Sequence, residues 1–235
     1  MNFEMVMQDL EALGKERTKK IYVSNGAHEP LFGVATGAMK PIAKKIKKNQ
    51  PLAEQLFTTG NYDAMYFAGV IADPKAMTEA DFMRWIDAAY FYMLSDYVVA
   101  VTLAETDIAQ EVADKWIASG EELRMSAGWS CYCWLLGSRP DGEFSESKLA
   151  NMLEIVQNTI HDSPERAKYA MNNFLYTVGV SYLPLHDKAV ETAKAVGPVE
   201  VKRDKTKSKF LLASENIQKA VDKMQLGFKR KYVRC

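Results

Sequence analysis

Cysteine and histidine are scarce in this chain, with three of each among 235 residues. Cys131 and Cys133 stand two apart, one short of a CxxC pair, and no cluster of His or Cys surrounds them. That argues against a metal centre or a redox pair, and for small buried hydrophobes in a reducing compartment. His28, His161 and His186 are isolated, so no chemistry is assigned to them. Long apolar runs are missing as well: nothing approaches the roughly 18 consecutive residues of a membrane span. The first stretch, MNFEMVMQDLEALGK, is acidic and amphipathic where an export signal would be basic and then apolar. These absences lead to an expectation of a cytoplasmic protein with no membrane partner. Strand-like alternation is nearly absent too, apart from a short stretch near GPVEVK.

What remains is helix. Hydrophobic residues make up 48% and charged residues 26% of the chain, enough to build a core over a single domain spanning 1–235. Ile108, Val112 and Trp116 recur every four residues with Ala113 and Ile117 beside them, and Leu149, Met152, Leu153, Val156 and Ile160 form a second stripe. Helix starts are signalled at Thr78 with Asp81, at Ser119 with Glu122, and at Ser163 followed by Pro164. Breaks fall at Gly60–Asn61, Asp73–Pro74, GSRPDG (137–142), Leu183–Pro184 and Gly197–Pro198.

The segments between these breaks pair off: one pair over 36–59, a helix near 62–72, then pairs over 78–105, 107–137, 145–181 and from 185 onward. The last three begin about 38 and 40 residues apart, the period of two-helix solenoid repeats. The expected fold is all-α, with HEAT/ARM-like antiparallel helix pairs forming a curved right-handed superhelix. In it the second helix of each pair lines the concave face. A compact helical bundle is the alternative.

The net charge of zero hides a segregation. Residues 201–235 hold eleven Lys or Arg against three Asp or Glu, a local charge of +8, so residues 1–200 carry −8. Within the acidic part lies a second basic cluster, KPIAKKIKK, with lysines at 40, 44, 45, 47 and 48. Segregated positive charge points to a polyanion partner. A solvated surface is the plainer reading of either cluster.

The stretch AAYFYMLSDYVVAVTLA (88–104) is apolar and aromatic but for one carboxylate, Asp96. Two readings are open. Ser95 or Asp96 could cap a helix beginning at Tyr97, or the acid could face a ligand. Arg124 occupies a matching place in the next pair and Asn173 in the pair after that, so the three could converge. An acid with an arginine and an amide can stabilise positive charge and position a water. The plainer readings pair Arg124 with Glu121 or Glu122, and have Asn172 and Asn173 satisfying backbone groups. The tryptophans at 85, 116, 129 and 134 read as core, with Trp129 the one expected to be worth testing for exposure.

In the order and spacing of its segments, the chain resembles the DNA alkylation repair proteins of the AlkD-like group, built from HEAT-like repeats. The resemblance rests on PLFGVATGAMKPIAKKIKKNQPLAEQLFTTGNYDAMYFAGVIADP (30–74), YMLSDYVVA (92–100), ELRMSAGW (122–129) and KRKYVRC (229–235). It implies hydrolysis of the N-glycosidic bond of cationic N3- or N7-alkylpurines in duplex DNA, with no metal or organic cofactor. The positive charge on the alkylated purine makes it a good leaving group. Carboxylate and aromatic faces stabilise the oxocarbenium character left on the sugar.

Carried over residue by residue, the resemblance places the catalytic acid at Asp96, the arginine at Arg124 and the leading aromatic at Tyr92. The family's Trp-Asp-x-x-Asp reads Tyr92-Met93-Leu94-Ser95-Asp96 here, and a second groove tryptophan appears as Asn173 or Phe174. Phosphate contacts are expected from Lys40, Lys44, Lys45, Lys47 and Lys48, and from Lys229, Arg230, Lys231 and Arg234. The stretch RDKTKSKF is expected to order on DNA. The altered aromatics keep two other classes in view: a DNA-binding or damage-sensing relative without catalysis, and a protein-binding helical scaffold.

Overall fold

The computed structural model describes residues 1–202 and 208–233. Residues 203–207 of the RDKTKSKF stretch, and Arg234, lie outside the described residues. The chain divides into two compact units, Met1–Thr106 and Asp107–Val233.

The first unit opens with α1 (Phe3–Leu13) and α2 (Glu16–Ser24). The Asn2 side chain accepts from the Met5 N–H and starts α1, which buries Val6 and Leu10. Helices α3 (Lys40–Ile46), α4 (Gln50–Phe57) and α5 (Tyr62–Ile71) follow, and Asn49 and Asn61 cap the last two by accepting from the N–H groups of Leu52 and Ala64. Helix α5 is buried on nearly every side. Its Asp63 accepts from the backbone N–H groups of Phe32, Gly33 and Val34 at 2.6, 2.9 and 2.8 Å, which ties the incoming loop to the helix.

Helix α6 (Glu79–Ala88) begins with a capping box in which Thr78 and Asp81 satisfy each other's backbone N–H groups. Trp85 of α6 stacks on Phe57 of α4 at 4.1 Å, and its Nε1 donates to Glu54 at 3.1 Å. The unit ends in one continuous helical run: α7 (Tyr92–Leu94), a π-helical segment (Ser95–Val99) and α8 (Ala100–Leu103). A Cβ at Gly69 of α5 would lie 2.5 Å from Val98 Cγ1, so the absence of a side chain there is what lets the two helices approach.

The second unit holds α9 (Ala109–Ile117), α10 (Glu122–Leu136), α11 (Glu146–Thr159), α12 (Glu165–Ser181) and α13 (His186–Val196). A small antiparallel hairpin follows, β1 (Val199–Val201) with β2 (Lys209–Leu211), in the register Val199 to Leu211 and Val201 to Lys209. Helix α14 (Ala213–Asp222) comes last. Helix α10 packs between α9 and α12, and α12 also meets α13 and α14. The pairs expected over 107–137 and 145–181 are these helices, and β1 is the short alternation in GPVEVK.

The start signals behave unequally. Thr78 is a cap. Ser119 is not: α10 starts after Glu121, and the Ser119 hydroxyl donates back to Trp116 O at 2.7 Å. Ser163 likewise donates to Thr159 O, and Pro164 takes the capping place of α12. Among the described residues no helix is long and apolar enough to cross a membrane, and no three His, Cys, Asp or Glu stand together as metal ligands.

Candidate nucleic-acid interface

The helix-cap reading of Asp96 is overturned by the backbone around it. Ser95 has φ −63° and ψ −49°, already helical, and the run is entered at Phe91, four residues before Ser95. The Ala100 N–H donates to Ser95 O, five residues back, so the ladder has slipped from α to π. Single π turns mark functional positions in many helices, because the widened turn re-aims side chains that regular spacing would place elsewhere. Here Asp96 is turned into the protein, 2% exposed, and its Oδ1 accepts from the Ser95 hydroxyl at 2.8 Å. Tyr97, the next residue, is turned outward and is 42% exposed.

Aromatic rings surround this turn. Half-buried Tyr92 meets Phe91 edge-on at 5.8 Å and Tyr97 at 6.3 Å, and Phe91 meets buried Tyr62 at 5.2 Å. Burial pushes the Tyr62 phenol up and raises that of Tyr22 to about 12, so both stay neutral hydroxyls at ordinary pH. The outward face thus offers Tyr92 and Tyr97 as stacking surfaces with the carboxylate behind them. Tyr97 was not singled out from the sequence. Its adjacency to Asp96 is the available signal, but polarity argues for the carboxylate outward and the ring inward, the reverse of what the structure has.

In the second unit, Arg124 sits in the first turn of α10 and pairs with Glu121 at 2.9 Å, as its plainer reading had it. Asn173 of α12 is exposed, whereas Phe174 is fully buried against Trp129 at 5.0 Å and Tyr132 at 6.2 Å. Of the two residues at the second groove position, only Asn173 can therefore meet a ligand. Trp129, expected to be worth testing for exposure, is 1% exposed and belongs to the core. Cys131 is buried, and burial pushes its thiol far above the ordinary value, which makes it a small hydrophobe in practice.

The basic residues divide into free-standing and engaged. Lys40, Lys44, Lys45, Lys47 and Lys48 are all exposed along and just after α3, while α3 buries Ile42 on its other side. Lys48 is 3.4 Å from Asp73. Lys229 is committed within the chain: its Nζ donates to Leu136 O at 2.7 Å and lies 2.7 Å from Asp141. Arg230 stacks over Trp134 at 4.8 Å, and its backbone N–H donates to Gly137 O. These two residues close the carboxyl end of α10, where cations complement the helix dipole. Lys231 is exposed beside Tyr232.

Known proteins resemble the chain along nearly its whole length. It is 30% identical over 226 residues to the uncharacterized protein Lin0241 of Listeria innocua, covering 94% of this chain and 97% of that protein. It is 29% identical to the uncharacterized protein Lmo0209 of Listeria monocytogenes over 225 residues, with the same coverage. A solved structure at 77% identity superposes with a TM-score of 0.97 over 100% of both chains. It is described as "a new family of proteins related to the HEAT-like repeat DNA glycosylases with affinity for branched DNA structures". The fold is accordingly that of the HEAT-like repeat DNA glycosylases. A model of the DNA alkylation repair enzyme family matches residues 6–213, and the chain belongs to that family.

Proposed function

We propose that this protein binds branched DNA and does so without excising bases. The observation that carries the reading is the 77% identity, over the full length of both chains, to a protein described as having affinity for branched DNA. The local chemistry agrees. A carboxylate that stabilises an oxocarbenium ion must reach the sugar, and Asp96 is 2% exposed with one oxygen accepting from Ser95. At the family's motif positions the chain carries Tyr92 for the leading tryptophan and Met93 for the first aspartate, and Asn173 stands at the second groove tryptophan. Exposed lysines along α3 supply the shape-tolerant phosphate contacts that branched DNA needs. Cys131 and Cys133, neither of them in a disulfide, fit a cytoplasmic setting.

A second reading, excision of cationic N3- or N7-alkylpurines from duplex DNA, is favoured by one observation: Asp96 and Arg124 stand at the positions of the family's acid and arginine. In that reading Asp96 stabilises the sugar cation, Arg124 holds a flanking phosphate, and Tyr92 lies against the lesion. One pair of assays separates the two. Fluorescence anisotropy with a four-way junction, a three-way junction and a linear duplex of equal length should show the junctions bound more tightly. Release of N7-methylguanine and N3-methyladenine in the same buffer should be absent. Equal affinity for all three DNAs refutes the first reading. Base release that disappears in Asp96→Asn establishes the second.

A further inference from the structure

We propose that the groove between α12 and α14, with the ordered turn at its rim, receives an unpaired nucleotide of a branched DNA. The inference rests on the branched-DNA reading above and assigns it a site. The groove has a volume of about 310 Å³ and is lined by Asn173 and Tyr176 of α12, Asn216, Lys219 and Lys223 on or beside α14, and Gln225. That volume sits at the low end of ligand sites, roughly 300–1,000 Å³, and suits one nucleotide better than a helix.

The lining has the composition a nucleotide requires. Two ammonium groups face a phosphodiester, three carboxamides offer donors and acceptors to a base edge, and Tyr176 adds an aromatic ring. Among the described residues no carboxylate lines the groove. Glu215, one turn before Lys219, lies 3.7 Å from it, and both are exposed, a weak pairing that a phosphate can displace.

The rim adds a second, independent feature. After α14 the chain makes a turn fixed by four backbone hydrogen bonds: Met224 to Val221 O, Gln225 to Ala220 O, Gly227 to Val180 O and Phe228 to Gln225 O. Met224 holds φ at 54°, a left-handed conformation that costs energy for a residue with a side chain. This fixed turn presents Met224 at 92% exposure and Phe228 at 64%, and Leu183, in contact with Gly227, at 51%. Gln225 of this turn lines the groove, Met224 directly follows the groove-lining Lys223, and Phe228 is the turn's exposed ring, so a stacking surface and positive charge stand on one short segment. Unpaired bases bind such surfaces, since every base has a π-face, whereas paired bases inside a duplex cannot present theirs.

The test uses the full chain and two three-way junctions, one fully paired and one with a single unpaired 2-aminopurine at the branch. The wild type should bind the unpaired junction more tightly and quench the 2-aminopurine. Phe228→Ala and Lys223→Ala, both at exposed positions and checked for an unchanged melting temperature, should lose that preference. Their expected loss is roughly five- to hundredfold on the unpaired junction, with affinity for the paired junction kept. Variants that keep the preference and the quenching overturn this site while leaving the branched-DNA reading intact. A uniform loss on both junctions makes the groove a general backbone contact and also overturns it. A wild type that binds neither junction removes the branched-DNA reading itself, and this site with it.

Discussion

Three carboxylates in the first unit show how far local sequence reaches at the scale of one residue. Asp81 belongs to a capping box spelled out within four consecutive residues. Burial pushes its carboxyl up, but the Thr78 hydroxyl and N–H together with Arg84 outweigh that and hold it below the ordinary 3.8. A depressed folded pKa means that its contribution is present above 3.8 and is lost as pH falls through the folded value. Thr78→Ala should cost about 1 kcal/mol near neutral pH, and the gap from wild type should close as pH drops below 3.8. Urea midpoints measured across that range check the sign; a gap that widens on acidification is the contrary result. Asp63 and Asp96 were less legible. The three N–H groups that Asp63 holds are about 30 residues away in sequence, and the π turn at 95–99 breaks the helical phase from which the direction of Asp96 would be read.

At the scale of elements, apolar periodicity located α9 and α11 because each buries one stripe, the breaks at Gly60–Asn61 and Asp73–Pro74 bounded α5, which is buried on nearly every side, and α1 and α2 lie outside the expected pairs. The misplaced starts share a cause. Ser119 and Ser163 each donate to a carbonyl three or four residues back, finishing the preceding helix, so a hydroxyl between two helices does not say which of them it serves. How closely helices approach was also hidden, since it depends on which glycine faces which partner. A Cβ at Gly128 of α10 would lie 2.7 Å from the Ala113 carbonyl oxygen and 3.0 Å from the Ile117 nitrogen, both backbone atoms of α9. At Gly179 of α12 the clash, also 2.7 Å, is with the tip of the Ile217 side chain. Gly128→Ala should therefore force α9 and α10 apart and cost roughly 1–3 kcal/mol, the usual range for overpacking. Gly179→Ala should cost less, because Ile217 can change rotamer and alanine favours the helix. Thermal melts of the two variants rank them, and a Gly179→Ala protein melting lower than Gly128→Ala reverses the argument.

On the whole-molecule scale, a formal charge of zero describes no surface that a partner meets. The +8 of residues 201–235 is partly engaged within the chain, where Lys229 pairs with Asp141 and Leu136 O and the exposed Arg230 stacks on Trp134, whereas of the five exposed lysines of 40–48 Lys48 has an ion pair, to Asp73. Composition could reveal the segregation but not this division, because the partners of Lys229 and Arg230 lie about 90 residues earlier in the chain. The α3 cluster is therefore expected to carry the larger share of salt-dependent DNA affinity. Each lost contact to a duplex phosphate should lower the slope of log affinity against log salt by about 0.9. Lys44→Ala with Lys45→Ala should then lower it by nearly two, and Lys48→Ala by less, since Asp73 already neutralises part of Lys48. Such losses should be equal for linear, three-way and four-way DNA, because phosphate contacts carry no information about branching. Anisotropy titrations from low to moderate salt read both quantities at once. A slope unchanged in the double variant would remove α3 from the interface, and a loss confined to branched DNA would mean that these lysines recognise the junction itself.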